Sequence, residues 1–182
     1  MPTRHSTSAV VFLSLSAATA VAQGNSTISA RGIDGIVLCQ PLSTIPRKFP
    51  LARDTIIESE GSQWPAKVLR LSDGGEVLFE SSWVDTTHVW VISTTSPMHR
   101  TAHGYRVGMS LGDLRAKGEQ LRFNYAEGYI VITLIADQVE FSPDDGTAAA
   151  FLNRSPTAYD SLDALPSTAR IKELHVSRDC RR

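Results

Sequence analysis

Two cysteines, Cys39 and Cys180, stand near opposite ends of what remains after an N-terminal export signal. That pair constrains the fold more than any other feature. Outside the cytoplasm no reducing buffer keeps thiols free, so an even count of two favours a bridge. Such a bridge closes a loop of about 140 residues, near 5 kcal/mol in the chain-entropy model. It requires the tail to return to the first structural unit, with the two Cα atoms within about 7 Å. The alternative is two free thiols, Cys39 buried and Cys180 frayed. Cysteines this far apart carry no metal-site or redox-motif spacing.

The export reading rests on residues 1–22, expected to be a signal peptide. Arg4 supplies a positive start, and Ala9 to Val21 is apolar or small and uncharged. The run ends in Ala20-Val21-Ala22, the small-x-small pattern that signal peptidase needs, so cleavage is expected before Gln23. A retained anchor and a cytoplasmic N-terminus are the alternatives. The apolar run is about 13 residues, short of the roughly 20 that span a bilayer. No later run is long enough either, so no stable membrane insertion is expected. The product is expected to be periplasmic or secreted, with residues 23–182 forming a single domain. Net charge is −1, and loss of Arg4 makes it −2. That balance gives no electrostatic case for nucleic acid.

Ser72-Asp73-Gly74-Gly75 is a strong hairpin turn between Ala66–Leu71, with Val68 and Leu71 expected inward, and Glu76–Glu80. Ile33–Leu38 reads as a short strand, followed by a weak helix at Pro41–Ile45 that Pro46 and Pro50 curtail. Gly61–Pro65 reads as a turn. His88–Ile92 reads as a strand, Thr94–His103 as a polar loop and Gly104–Val107 as extended. Ser110–Leu121 is the clearest helix, with Ser110 and Asp113 forming a capping box and Gly118 an early end or C-cap. Tyr129–Ile135 is β-branched and continuous, a central strand whose return is Gln138–Phe141. Thr147–Leu152 makes one or two helical turns, Ser155–Pro166 is a loop, and Ala169–Val176 is the last strand. The fold class expected is α+β, an antiparallel sheet packed by short helices.

The segment Gly35–Ile45 aligns with Gly104–Leu114. The glycines match, Leu38 matches Val107, Leu42 matches Leu111 and Ile45 matches Leu114; Glu60-Gly61 stands over Glu127-Gly128. The expectation is two duplicated αββ-type units, about 33–80 and about 104–141, pooling strands into one sheet. The stretch Ser96-Pro97-Met98-His99-Arg100-Thr101, continuing to Leu114, resembles uncharacterised bacterial exported proteins. Val107-Gly108-Met109-Ser110-Leu111 is distantly similar to the helix entry of BamE-like and β-lactamase-inhibitor-like periplasmic modules. The resemblance implies duplicated helix-and-hairpin units serving protein contact or envelope maintenance. It assigns no functional residue, and the first unit departs from it, with Cys39 at the glycine position.

No arrangement rises to an active site. His99 and His103 are four apart, a zinc spacing on a helix, but Pro97, Thr101 and Gly104 argue for solvent-facing loop histidines without a third ligand. Serines are many, yet no nucleophile elbow or metalloprotease motif occurs. Asp144-Asp145-Gly146 lacks the ligand pattern of a calcium loop. Glu58, Glu60, Glu76 and Glu80 could flank a groove as acid and base, or form a solvated sheet face. No catalytic residue, metal or cofactor is therefore assigned. Trp64 and Trp83, if exposed, would anchor a partner, since aromatic residues dominate interface energetics. With His99, Arg100 and His103 they form the candidate binding surface. The function expected is an exported, non-catalytic protein-binding or envelope-associated module. An inhibitor of an exported enzyme and a small secreted hydrolase are the alternatives.

Overall fold

The structure is a computed structural model, described for residues 26–126, 129–152 and 165–181. The expected signal segment, Glu127-Gly128 and most of the loop expected at Ser155–Pro166 lie outside the described residues. Its strands are β1 (Ile28–Ser29), β2 (Gly32–Ile33), β3 (Ile36–Val37), β4 (Arg53–Ser59), β5 (Ser62–Arg70), β6 (Glu76–Glu80) and β7 (Val91–Thr94). They continue as β8 (Leu121–Ala126), β9 (Tyr129–Leu134), β10 (Val139–Pro143) and β11 (Ile171–Ser177). The helices are short: α1 (Ile45–Lys48, after a 3-10 turn at Leu42–Thr44), α2 (Leu111–Ala116) and α3 (Asp145–Leu152). The fold is α+β. Among the described residues no helix is long and apolar enough to cross a membrane.

β1, β2 and β3 form a small antiparallel sheet. The others form one antiparallel sheet of eight, in the order β4-β5-β6-β7-β11-β10-β9-β8. That order mirrors itself about the β7–β11 pair. In each half a helix leads into a three-stranded meander, and one further strand runs to the centre. The mirror extends to single hydrogen bonds. Cys39 N–H donates to Val89 C=O at 2.8 Å and Leu42 N–H to Thr87 C=O at 2.8 Å. In the other half Gly108 N–H donates to Ile171 C=O at 2.9 Å and Leu111 N–H to Ala169 C=O at 2.8 Å. These are the positions the sequence alignment sets opposite one another.

One sheet face is apolar. Phe79, Ile92, Val176 and Leu134, with Val77, Leu174, Phe141 and Ile132, are buried there under Ile45 of α1, Leu111 and Leu114 of α2, and Phe151 of α3. Helix α2 starts as its sequence dictates. Ser110 Oγ accepts from Asp113 N–H at 3.1 Å, and the Asp113 carboxylate accepts from Ser110 N–H at 2.9 Å. Cys39 and Cys180 lie at bonding distance, with Cα atoms 5.2 Å apart. The link ties the approach to α1 to the chain just beyond β11.

Several expectations are corrected. Helices α1 and α2 each lead into three strands rather than two, because Arg53–Ser59 and Leu121–Ala126 are both strands. The main helix ends at Ala116, with Gly118 left-handed at φ 74° soon after. Ile33–Leu38 is a hairpin, turned by Asp34 (φ 47°) and Gly35 (φ 75°). The turn before β5 is Glu60-Gly61, so Pro65 sits inside a strand opposite Ile56. Ala66 and Leu69 are the buried residues of β5, while Val68 and Leu71 are half-buried. Gly104–Val107 forms no strand, although Tyr105 is buried.

Candidate functional site

The second sheet face carries a row of residues set by register: Val68, Leu78, Ser93, His175, Glu140, Thr133 and Arg122, on adjacent strands from β5 to β8. Among the described residues the helices of the apolar core pack on the other face, yet Ala66, Ser93 and Thr133 are buried. Coiling of the sheet accounts for this. Trp64 on β5 and Tyr129 on β9 both belong to this face and both line one cleft of about 420 Å³. They are five strand spacings apart, roughly 24 Å in a flat sheet. They also sit at opposite ends of the sheet, since each lies near the start of its strand and β5 and β9 run antiparallel. Right-handed strand twist coils a wide sheet and brings diagonal corners together. The polar face is therefore the concave one, a trough whose mouth is the Trp64–Tyr129 cleft.

The mouth is lined by Ser59, Glu60, Ser62, Trp64, Trp83 and Tyr129. Glu60 and Gly61 take φ 51° and 75°, the left-handed pair that a two-residue hairpin loop demands. Trp83 stands on a turn closed by Ser82 and Asp85, whose amides and carbonyls pair at 3.0 and 3.2 Å. The Asp85 carboxylate fixes this turn. It accepts from Thr87 N–H (2.9 Å) and Thr87 Oγ1 (2.6 Å), and meets His88 Nδ1 at 2.8 Å. These bonds, the Thr87 hydroxyl foremost, hold its pKa well below the usual carboxylate range. Trp83 is 69% exposed and Tyr129 64% exposed, whereas Trp64 is half-buried.

Behind the mouth the trough is charged. His175 Nε2 lies 3.3 Å from Glu140. The His175 hydrogen bond lowers the Glu140 pKa against the opposing effect of burial, with help from Arg122 and Thr133. Burial raises the Glu80 carboxyl, and the charge of Glu173 raises it further; Trp64 and His175 act the other way. The row Ser93–His175–Glu140 sets a hydroxyl, an imidazole and a carboxylate side by side. Serine hydrolysis needs the imidazole to take the hydroxyl proton and donors aimed at the oxyanion. Among the described residues no hydrogen bond joins Ser93 to His175, and β7 is paired on both sides, so its amides serve the ladders.

The expected binding surface divides. Trp64 and Trp83 come together at the mouth. His99 does not belong to any surface: it is 1% exposed, with Nδ1 2.9 Å from Thr94 Oγ1 and Nε2 3.0 Å from Asp34. The loop reading failed because Asp34, 65 residues away in sequence, supplies a partner that no local pattern announces. Arg100 is exposed, and its backbone bridges to Thr27 and Ile28 beside the small sheet. His103 bonds Asp137 at 2.8 Å, at the far end of β9 from Tyr129. No group of three or more His, Cys, Asp or Glu able to hold a metal occurs among the described residues. Of the four glutamates considered as groove acids, Glu60 lines the mouth and Glu80 the trough. Glu58 accepts from Gln63 at 3.0 Å, and Glu76 pairs with Arg70 at 2.8 Å. Tyr129 went unnoticed because its strand reads as uniformly apolar core.

A second cleft of about 460 Å³ beside Pro50–Thr55 has as its charged lining Asp54, paired with Lys67, Arg70, paired with Glu76, and Arg53. It offers no aromatic side chain. Compared with known proteins, the chain matches no family model and no curated protein. It is similar in fold to the crystal structure of the uncharacterized protein YfeY from Escherichia coli, with TM-score 0.58 and 14% identity. The match covers 84% of this chain and 99% of that one. At that identity the likeness is one of fold.

Proposed function

We propose that the protein is an exported binding module, periplasmic or secreted, that takes its partner at the aromatic mouth of the trough without transforming it. The observation that carries this reading is the meeting in one cleft of two highly exposed rings, Trp83 on the turn after β6 and Tyr129 at the start of β9. Exposed large aromatics gathered in a cleft are interface anchors. The mirrored strand order and the matched hydrogen bonds of Cys39 and Gly108 support descent of the two halves from one duplicated helix-and-strand unit. The cysteine pair at bonding distance suits an oxidising compartment.

The test places a photoreactive p-benzoylphenylalanine at Trp83, and separately at Leu51, which is at least as open to solvent but lines the other cleft. Irradiation in the producing cells is expected to give a discrete adduct from position 83 and none from 51. Identical adducts from both, or none from 83, would end the reading.

The Ser93–His175–Glu140 row favours a second reading, a small hydrolase. Hydrolysis of p-nitrophenyl acetate that is lost in both Ser93→Ala and His175→Ala variants would support it. A rate equal in wild type and variants would exclude it.

A further inference from the structure

The mouth's chemistry narrows its ligand beyond a generic partner. Its lining combines three aromatic rings, two serine hydroxyls beside the Tyr129 phenol, and a single charge, the Glu60 carboxylate, with no basic residue. Among the described residues the three rings make no ring–ring contact with one another, so they stand apart rather than stacked. Nor does any cation among the described residues sit over them. Elsewhere the protein does place cations on rings: Lys117 over Tyr105 and Arg181 over Trp90, each 5.4 Å from the centroid. The mouth therefore opens the rings of Trp83 and Tyr129 to solvent, with Trp64 half-buried behind them, and adds a negative charge beside them. Its volume of about 420 Å³ lies within the roughly 300–1,000 Å³ of small-ligand clefts.

Ring faces carry negative electrostatic potential, and tryptophan attracts cations most strongly. A bulky, weakly hydrated cation gains most, because it surrenders little hydration on entering. A primary ammonium or a guanidinium would leave its N–H donors facing rings. A quaternary ammonium has no such donors, and its methyl groups fit apolar faces. The two serine hydroxyls and Glu60 at the rim suit a polar group attached to that cation.

We propose that the mouth is an aromatic cage for a quaternary alkylammonium group, with Trp64, Trp83 and Tyr129 as walls and Glu60 as counter-charge. The proposal rests on the mouth being the binding surface, and it names the chemistry bound there. Trp83 is the variant of choice, since its exposure separates binding from folding.

Choline is the probe, 3,3-dimethylbutan-1-ol its neutral isostere, and sodium chloride the ionic control, each followed by tryptophan fluorescence of the full chain. Choline is expected to saturate with a dissociation constant on the order of a millimolar and the isostere to bind about tenfold more weakly or worse. Trp83→Ala and Tyr129→Ala should each abolish the response, and Glu60→Gln should weaken it several-fold, with unchanged urea midpoints. Equal binding of choline and its isostere, no choline binding, or binding that survives both aromatic substitutions overturns the cage. If choline fails while the position-83 adduct still forms, the cation chemistry falls and the mouth stands; if both fail, the mouth falls with it.

Discussion

Cys39 and Gly108 share a left-handed backbone, φ 66° and 88°, and each sends its amide N–H to the strand segment that runs to the centre of the sheet. One position is filled by glycine, which adopts this conformation freely. The other is filled by a cysteine, which does so at a steric cost of roughly 1–2 kcal/mol.

That contrast yields a double-variant test. Removing the sulfur link by Cys39→Ala with Cys180→Ala should destabilise by about 2–5 kcal/mol. Cys39→Gly with Cys180→Ala loses the same link but relieves the strained backbone. It should be about 1 kcal/mol more stable than the alanine pair. Urea unfolding decides; an alanine pair as stable as the glycine pair would show the left-handed position costs nothing.

Leu114 of α2 is 0% exposed within the apolar core. Leu114→Ala should cost about 2–4 kcal/mol, combining lost transfer energy with a cavity. A loss below about 1 kcal/mol would mean the site collapses around the gap.

Asp144 joins α3 to β11. Its carboxylate accepts from Arg170 N–H at 2.9 Å and from Thr147 N–H and Oγ1 at 3.0 Å each. These bonds, that of Arg170 first, depress its pKa. A depressed carboxyl contributes stability above its unfolded value near 4 and loses it as pH falls through the folded value. Asp144→Ala should cost about 1–2 kcal/mol at neutral pH, and the gap to wild type should narrow steadily below pH 4. A constant gap would point to packing instead of charge.

Glu80 should behave oppositely. Its carboxyl is raised by burial first and Glu173 second, so ionisation opposes folding. The penalty is absent below the unfolded pKa and grows as pH rises through the folded value. Glu80→Gln should match wild type near pH 4 and exceed it in urea midpoint at pH 7.5. A midpoint below wild type at pH 7.5 would contradict the assignment.

Legibility followed locality. The Asp73-Gly74 turn announced β5 and β6 because its chemistry is contained in two residues, and Ser110 with Asp113 announced the start of α2 for the same reason. β4 was missed because an edge strand with no fully buried residue, half-buried on one face and exposed on the other, shows no clear apolar alternation. β8 was missed because Leu121 extends the helical spacing of Leu111 and Leu114, and only the Gly118 backbone breaks it. The trough was invisible because its row takes one residue from each of seven strands, and the mouth depends on how far the sheet coils. Trp64 and Trp83 were noticed by residue type and Glu60 as a possible groove acid; Tyr129 joined them only through the coil.

β11 lies between β7 and β10, although every other strand of the large sheet precedes it in the chain. A chain emerging from its N-terminus can form β4 to β7 and β8 to β10 as separate meanders. Each then keeps an open inner edge until residues 171–177 arrive. Most of the sheet's cooperativity must wait for pairings made late and at long sequence separation, which slows folding and prolongs exposure of unpaired edges. Trimming residues from 171 onward therefore divides the sheet at its midline, where trimming an outer strand would only narrow it.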